Sequence, residues 1–81
     1  MNDQIALLEV VVATTSSPAD GVLAGDIGTV VEIYSVPAQA YDVEFVNPDG
    51  STRALLTLTP GQVRRLSATD VMTTRPMALA A

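Results

Sequence analysis

Apolar and polar positions along the chain fall into five short runs separated by turn signals. Residues 5–13 form a valine-rich apolar run that reads as a β-strand, although Ile5-Ala6-Leu7-Leu8-Glu9 also suits a helical turn at its start. Residues 14–24 hold Ser16-Ser17-Pro18 and Asp20-Gly21, which favour turns, and Val22-Leu23 marks a loop that folds back to pack its own apolar residues. Gly25-Asp26-Ile27-Gly28 leads into a β-branched strand over residues 29–34. Gly25 and Gly28 are expected to shape a tight turn or bulge there, with Gly28 in a conformation closed to β-branched residues. Tyr41-Asp42-Val43-Glu44-Phe45-Val46 alternates with the period of a strand that has one wet face: Tyr41, Val43 and Phe45 point one way, Asp42 and Glu44 the other. Asn47-Pro48-Asp49-Gly50 predicts a hairpin, with Pro48 at the second position of a type I turn and Gly50 in the left-handed position after it. Residues 52–59 return as a strand, Pro60-Gly61-Gln62 breaks it as one 3₁₀ turn, and residues 63–66 are long enough for a short closing strand.

Five short antiparallel strands must curl to bury their apolar faces, and closure removes the exposed sheet edges. The expected fold is therefore all-β: a small five-stranded antiparallel SH3-like barrel over residues 1–66, with a 3₁₀ turn before the last strand. Val10, Val12, Val31, Ile33, Val43, Phe45, Leu56 and Leu58 are its expected core. Residues 67–81 form a threonine- and alanine-rich tail whose Met72, Met77 and Leu79 find no place in a complete small core. Arg75-Pro76 prevents a continuous helix or strand there. The tail is expected to be disordered or packed on a neighbouring subunit, the latter making a homo-oligomer.

Composition then narrows the partner. The 81 residues carry nine acids against four arginines, with no lysine, histidine or cysteine, for a net charge of −5. Such a chain repels nucleic acid, whose binding relies on clustered basic groups, and it repels an anionic membrane surface. A basic protein surface is attracted. Without cysteine there is neither a disulfide nor a thiolate, and a cytoplasmic location is the plain expectation. Met1-Asn2-Asp3-Gln4 lacks the charge and apolar run of a secretory signal, and no apolar run is long enough to span a bilayer.

The usual base and thiol nucleophile are missing, so the many serines and threonines have nothing to activate them. Asp42 and Glu44 have a spacing that suits paired carboxylates, but they also fit the wet side of an alternating strand. Asp20, Asp26 and Asp49 are hard-oxygen groups, each in a turn where aspartate bonds its own backbone, and the spacing of a calcium loop is absent. Gly25 and Gly28 lack the helix and lysine of a phosphate cradle. Tyr34, Tyr41 and Phe45 lack the tryptophan of a proline-peptide groove and suit caps on a small core. Arg64-Arg65 suits surface pairing with nearby acids. No catalytic residue, cofactor or metal ligand is expected. What remains is an acidic surface of Asp20, Asp26, Glu32, Asp42 and Glu44, with Tyr34, as a docking face for a protein partner.

Several segments together also resemble a known family. Leu7-Leu8-Glu9-Val10-Val11-Val12, Gly25-Asp26-Ile27-Gly28-Thr29-Val30-Val31-Glu32-Ile33-Tyr34, Tyr41-Asp42-Val43-Glu44-Phe45, Asp49-Gly50 and Ala54-Leu55-Leu56-Thr57-Leu58 are similar to a family of small bacterial proteins of unknown function. That family carries the pattern GDxGTVVEVY…YEVEF…DG…ALLTL and is thought to be SH3-like. The resemblance covers about residues 5–66 and brings no catalytic residues. It implies, by analogy with members beside larger toxin-like genes, an antitoxin or immunity role. Residues 25–30 are also similar to the start of ribosomal and transcription-factor barrels that bind RNA, but those barrels are basic. The expected function is a non-catalytic protein-binding module with an acidic face. The alternative is a structural or accessory subunit that assembles with itself or with a larger enzyme.

Overall fold

The computed structural model describes residues 4–77. Its elements are β1 (Val10–Ala13), a 3₁₀ turn (Pro18–Asp20), β2 (Ile27–Tyr34), β3 (Ala40–Val46), β4 (Thr52–Leu58), a second 3₁₀ turn (Pro60–Gln62) and β5 (Val63–Arg65). All five strands are antiparallel in one sheet of order β4-β3-β2-β1-β5. The all-β class, the strand count and the 3₁₀ turn before the last strand follow the sequence. The barrel does not close: β4 and β5 remain the two edges.

β1 is shorter than the apolar run that contains it. The Glu9 N–H donates to the Ala6 carbonyl at 3.1 Å, closing a turn in which Leu8 sits at φ 68°. That left-handed conformation is unusual for a branched side chain and interrupts the strand ladder. The hairpin between β3 and β4 is built as its residues require. The Gly50 N–H donates to the Asn47 carbonyl at 2.9 Å, and Gly50 takes φ 89°. The second 3₁₀ turn is held by a capping box between Thr59 and Gln62.

The inner face of the curled sheet holds Val11, Ala13, Val30, Tyr41, Val43, Phe45, Ala54, Leu58 and Val63, and Val22 folds in from the long loop. Leu56 and Ile5 pack against this cluster. Val43, Phe45, Leu56 and Leu58 lie where the sequence places them. Val12 is buried as expected but apart from the main cluster, and Val10, Val31 and Ile33 are not buried. In β1 every residue is apolar, so alternation cannot choose a face, and Val11 and Ala13 turn inward. In β2 the register with β3 shifts between Val30 and Glu32. Such a bulge reverses the parity of the strand beyond it. Val30, before the bulge, pairs with Val43 and points inward, and the shift after it sets Ile33 opposite Tyr41, where Ile33 ends in an exposed position at the edge of the core.

Gly28 is also corrected. It is a buried strand residue paired with Val11, not a turn residue, and positive φ belongs to Gly21, Gly25 and Gly50. A Cβ on Gly28 would lie 2.5 Å from Val43 Cγ1 and 3.0 Å from Phe45 Cε1. Glycine is needed because the β3 side chains cross over it.

Candidate interaction face

The outer face of the sheet has two ends of different character. At one end, Glu32 on β2 stands directly opposite Asp42 on β3, and Asp42 opposite Thr57 on β4. The next row toward the middle holds Val10, Thr29, Glu44 and Leu55. Alternation along β3 puts Asp42 and Glu44 outward because Tyr41, Val43 and Phe45 go inward. The Thr57 hydroxyl donates to Asp42 Oδ1 at 2.6 Å and the Tyr34 hydroxyl to Asp42 Oδ2 at 2.7 Å. Thr52 donates to Glu44 Oε2. Hydrogen bonds from Thr57 and then Tyr34 hold the Asp42 carboxyl below the ordinary aspartate value. The same bond to Asp42 raises the Tyr34 phenol.

No arginine balances this end. Arg53 and Arg75 pair with Asp26, Arg64 with Asp70, and Arg65 with Glu9. Like charges directly opposite on adjacent strands repel by a few tenths of a kcal/mol, on the order of 0.2–1. Here Glu32 and Asp42 face each other with all the basic side chains committed elsewhere.

The other end of the outer face is covered. Val12 is buried although it is not in the core cluster, and it pairs with Ile27 and Arg64. Residues 70–73 line a shallow cavity with Val12 and Ile27, so the tail runs along this end. Arg64 clamps Asp70 at 2.8 and 2.9 Å. Hydrogen bonds from Arg64, then from the Ser67 N–H, pull the Asp70 carboxyl down to about 2. Farther on, Arg75 Nε and Nη2 donate to the two oxygens of Asp26 at 3.1 and 2.6 Å. Arg53 lies 3.6 Å from the same carboxylate and donates to Met77 Sδ at 2.9 Å and to the Val46 carbonyl at 2.8 Å. Burial would raise Asp26, but hydrogen bonds from Arg75 and the Leu23 N–H, with the charges of Arg75 and Arg53, hold it below its usual value.

The expected partner-binding residues are thus divided. The sheet gathers Glu32, Tyr34, Asp42 and Glu44 on one exposed end. Asp26 lies under the tail and is already paired. Asp20 sits in the first 3₁₀ turn, where its Oδ2 accepts the Ser17 hydroxyl. Asp49 accepts the N–H and hydroxyl of Ser51 in the hairpin. Gly25, Pro48 and Gly50 occupy turns. The three aromatic residues do not form a groove: Tyr41 and Phe45 are buried, with the Tyr41 hydroxyl accepting from Gln39 Nε2 at 2.8 Å, while Tyr34 is exposed on the opposite face. Thr52 and Thr57, which orient the two carboxylates, carry no signal in the sequence because their role depends on strand register. Among the described residues no three Asp or Glu converge in the manner of a metal site. No helix there is long and apolar enough to cross a membrane.

Residues 7–65 match the domain of unknown function DUF4926. The chain belongs to this family. The match takes in β1 to β5 and both ends of the outer sheet face, including Asp26, Arg53 and the Glu32–Asp42–Glu44 group. It stops before Asp70 and Arg75, so the strap over the DUF4926 sheet lies outside the matched span. No curated protein and no solved structure matches the chain.

Proposed function

We propose that this DUF4926 chain is a non-catalytic, cytoplasmic protein-binding module of bacteria whose acidic sheet end docks a basic partner protein, in the manner of an antitoxin or immunity protein. The observation that carries this reading is the uncompensated opposition of Glu32 and Asp42, flanked by Glu44, while all four arginines pair elsewhere. A fold this small has little stability to spare. Keeping a repulsive pair on an exposed sheet suits a surface that meets a cation from outside. Tyr34 and Leu55 add exposed contact area beside the carboxylates, and Tyr is a favoured interface residue. We read the architecture as SH3-like, because the order β4-β3-β2-β1-β5, the long loop after β1 and the 3₁₀ turn before β5 suit that class even with the sheet open.

A second reading, as an accessory subunit that self-associates through the tail, is favoured by one observation. Leu66, Val71 and Met72 are exposed around the ion-paired Asp70. Affinity capture from the source cells with the parent chain and with Glu32→Gln/Asp42→Asn/Glu44→Gln separates the two. A partner of high isoelectric point, held by the parent, eluted by salt and absent with the triple variant, is the expected result. Equal capture by both proteins, or a partner that is itself acidic, rules out the acidic docking face.

A further inference from the structure

The two oxygens of Asp26 receive Arg75 through a side-on fork, and the Gly21 carbonyl accepts a third contact from Arg75 Nη2 at 3.3 Å. The carboxylate is oriented in advance by the Leu23 N–H at 3.0 Å and is mostly buried. A planar fork of N–H donors on a fixed carboxylate, with a carbonyl to one side, is the geometry that selects a guanidinium over an ammonium. Beneath it, Arg53 approaches Asp26 only at 3.6 Å, and its buried Nε has no partner. Arg53 therefore does not replace Arg75 in the fork.

We propose that Asp26 and the Gly21 carbonyl form a guanidinium-binding subsite of the docking surface, and that the tail fills it in cis as an internal stand-in for an arginine of the basic partner. The proposal rests on the protein-docking reading above and adds its regulation. The tail lies along the same outer face that carries the acidic end, so a partner reaching across the sheet meets the strap. The strap is suited to displacement. Residues 67–77 form no strand or helix, and Val71 and Met72 stay exposed. Among the described residues its polar anchors are Arg64 on Asp70, Arg75 on Asp26 and the Gly21 carbonyl, and Met77 Sδ on Arg53; the Arg64 and Arg75 side chains stay partly exposed, and ion pairs of that kind are individually weak. A partner that supplies an arginine to Asp26 releases Arg75 and uncovers Val12 and Ile27, so it exchanges one ion pair for another and gains apolar contact.

The test uses the full-length chain and two synthetic peptides, octa-arginine and octa-lysine, with binding read by calorimetry at low salt. Arg75→Ala should bind octa-arginine about fivefold more tightly than the parent, the worth of one displaced surface pair, with a smaller gain for octa-lysine. Adding Asp26→Asn should abolish the gain. Arg65→Ala has the same net charge as Arg75→Ala but leaves the strap anchored, so it should show no such preference for octa-arginine. A gain confined to Arg75→Ala and lost with Asp26→Asn supports the subsite. Equal affinities of the parent and Arg75→Ala, or an equal gain in Arg65→Ala, overturn it. Binding that depends on Asp42 and Glu44, measured with Asp42→Asn/Glu44→Gln, reports separately on the acidic end. That reading survives if the subsite fails, and it falls alone if the parent binds octa-arginine equally well without those carboxylates while the gain of Arg75→Ala persists. Absence of binding by every version, the emptied subsite included, removes both.

Discussion

The two faces of the sheet are made from the same strands but obey different rules. The inner face is apolar throughout, and each residue on it touches others of the same cluster. The outer face is split between a strapped end, where Asp26 and Asp70 are ion-paired, and an open end, where Glu32, Asp42 and Glu44 are not. Folding explains the inner face, since burial of apolar area is the main driving force. It explains the strapped end in part, because Val12 is covered there. It does not explain why Glu32 and Asp42 stand opposite each other at the open end, where like charges repel.

Substitutions on the inner face should therefore cost far more than those on the outer one. Phe45 is fully buried at the centre of the cluster. Phe45→Ala should lower unfolding free energy by roughly 3–5 kcal/mol in a denaturant titration. A loss below about 1 kcal/mol would show that the inner face does not govern folding. Gly28→Ala sets a Cβ against the Val43 and Phe45 side chains, and roughly 1–3 kcal/mol should be lost through overpacking. Since Gly28 has an ordinary strand backbone, the loss should shrink when Val43→Ala makes room. If it persists unchanged in that double variant, Val43 is not the source of the crowding.

Acid should dissect the outer face. Asp26 and Asp70 both have folded-state values below 3.8, Asp70 at about 2. Groups depressed in this way contribute stability that is complete above the unfolded value and is lost as pH falls through the folded one. The strap should accordingly loosen between about pH 4 and about pH 2. Methyl resonances of Met72 and Met77 should move toward random-coil positions in that window while those of Val43 hold. Simultaneous movement of tail and core would mean that the strap is not an independent unit.

The smallest effect belongs to the open end. Glu32→Gln removes the repulsion across β2 and β3 and should leave stability unchanged or raise it by about 0.2–0.5 kcal/mol. A clear loss on thermal unfolding would assign Glu32 to the fold and would weaken the docking face.

Much of this was legible in the residues. Alternation from Tyr41 to Phe45 determines both the buried side of β3 and the outward carboxylates, because strand side chains alternate strictly. Asn47-Pro48-Asp49-Gly50 and Pro60-Gly61-Gln62 specify their turns by local chemistry, which needs no distant contact. Val22 announces its inward fold by being apolar inside a loop. Where neighbouring residues show no apolar–polar alternation, as in β1 and the first half of β2, local pattern cannot choose a face. The pairing of Val11 with Gly28 and of Val30 with Val43 makes that choice, and the bulge after Val30 resets it for the rest of β2. The division of the acids is likewise tertiary. Asp26 and Asp42 are the same side chain in the sequence, but one meets Arg75 from 49 positions away and the other meets Glu32 across a strand. The reason is physical: pairing of charges depends on distances in space, which chain order alone does not set.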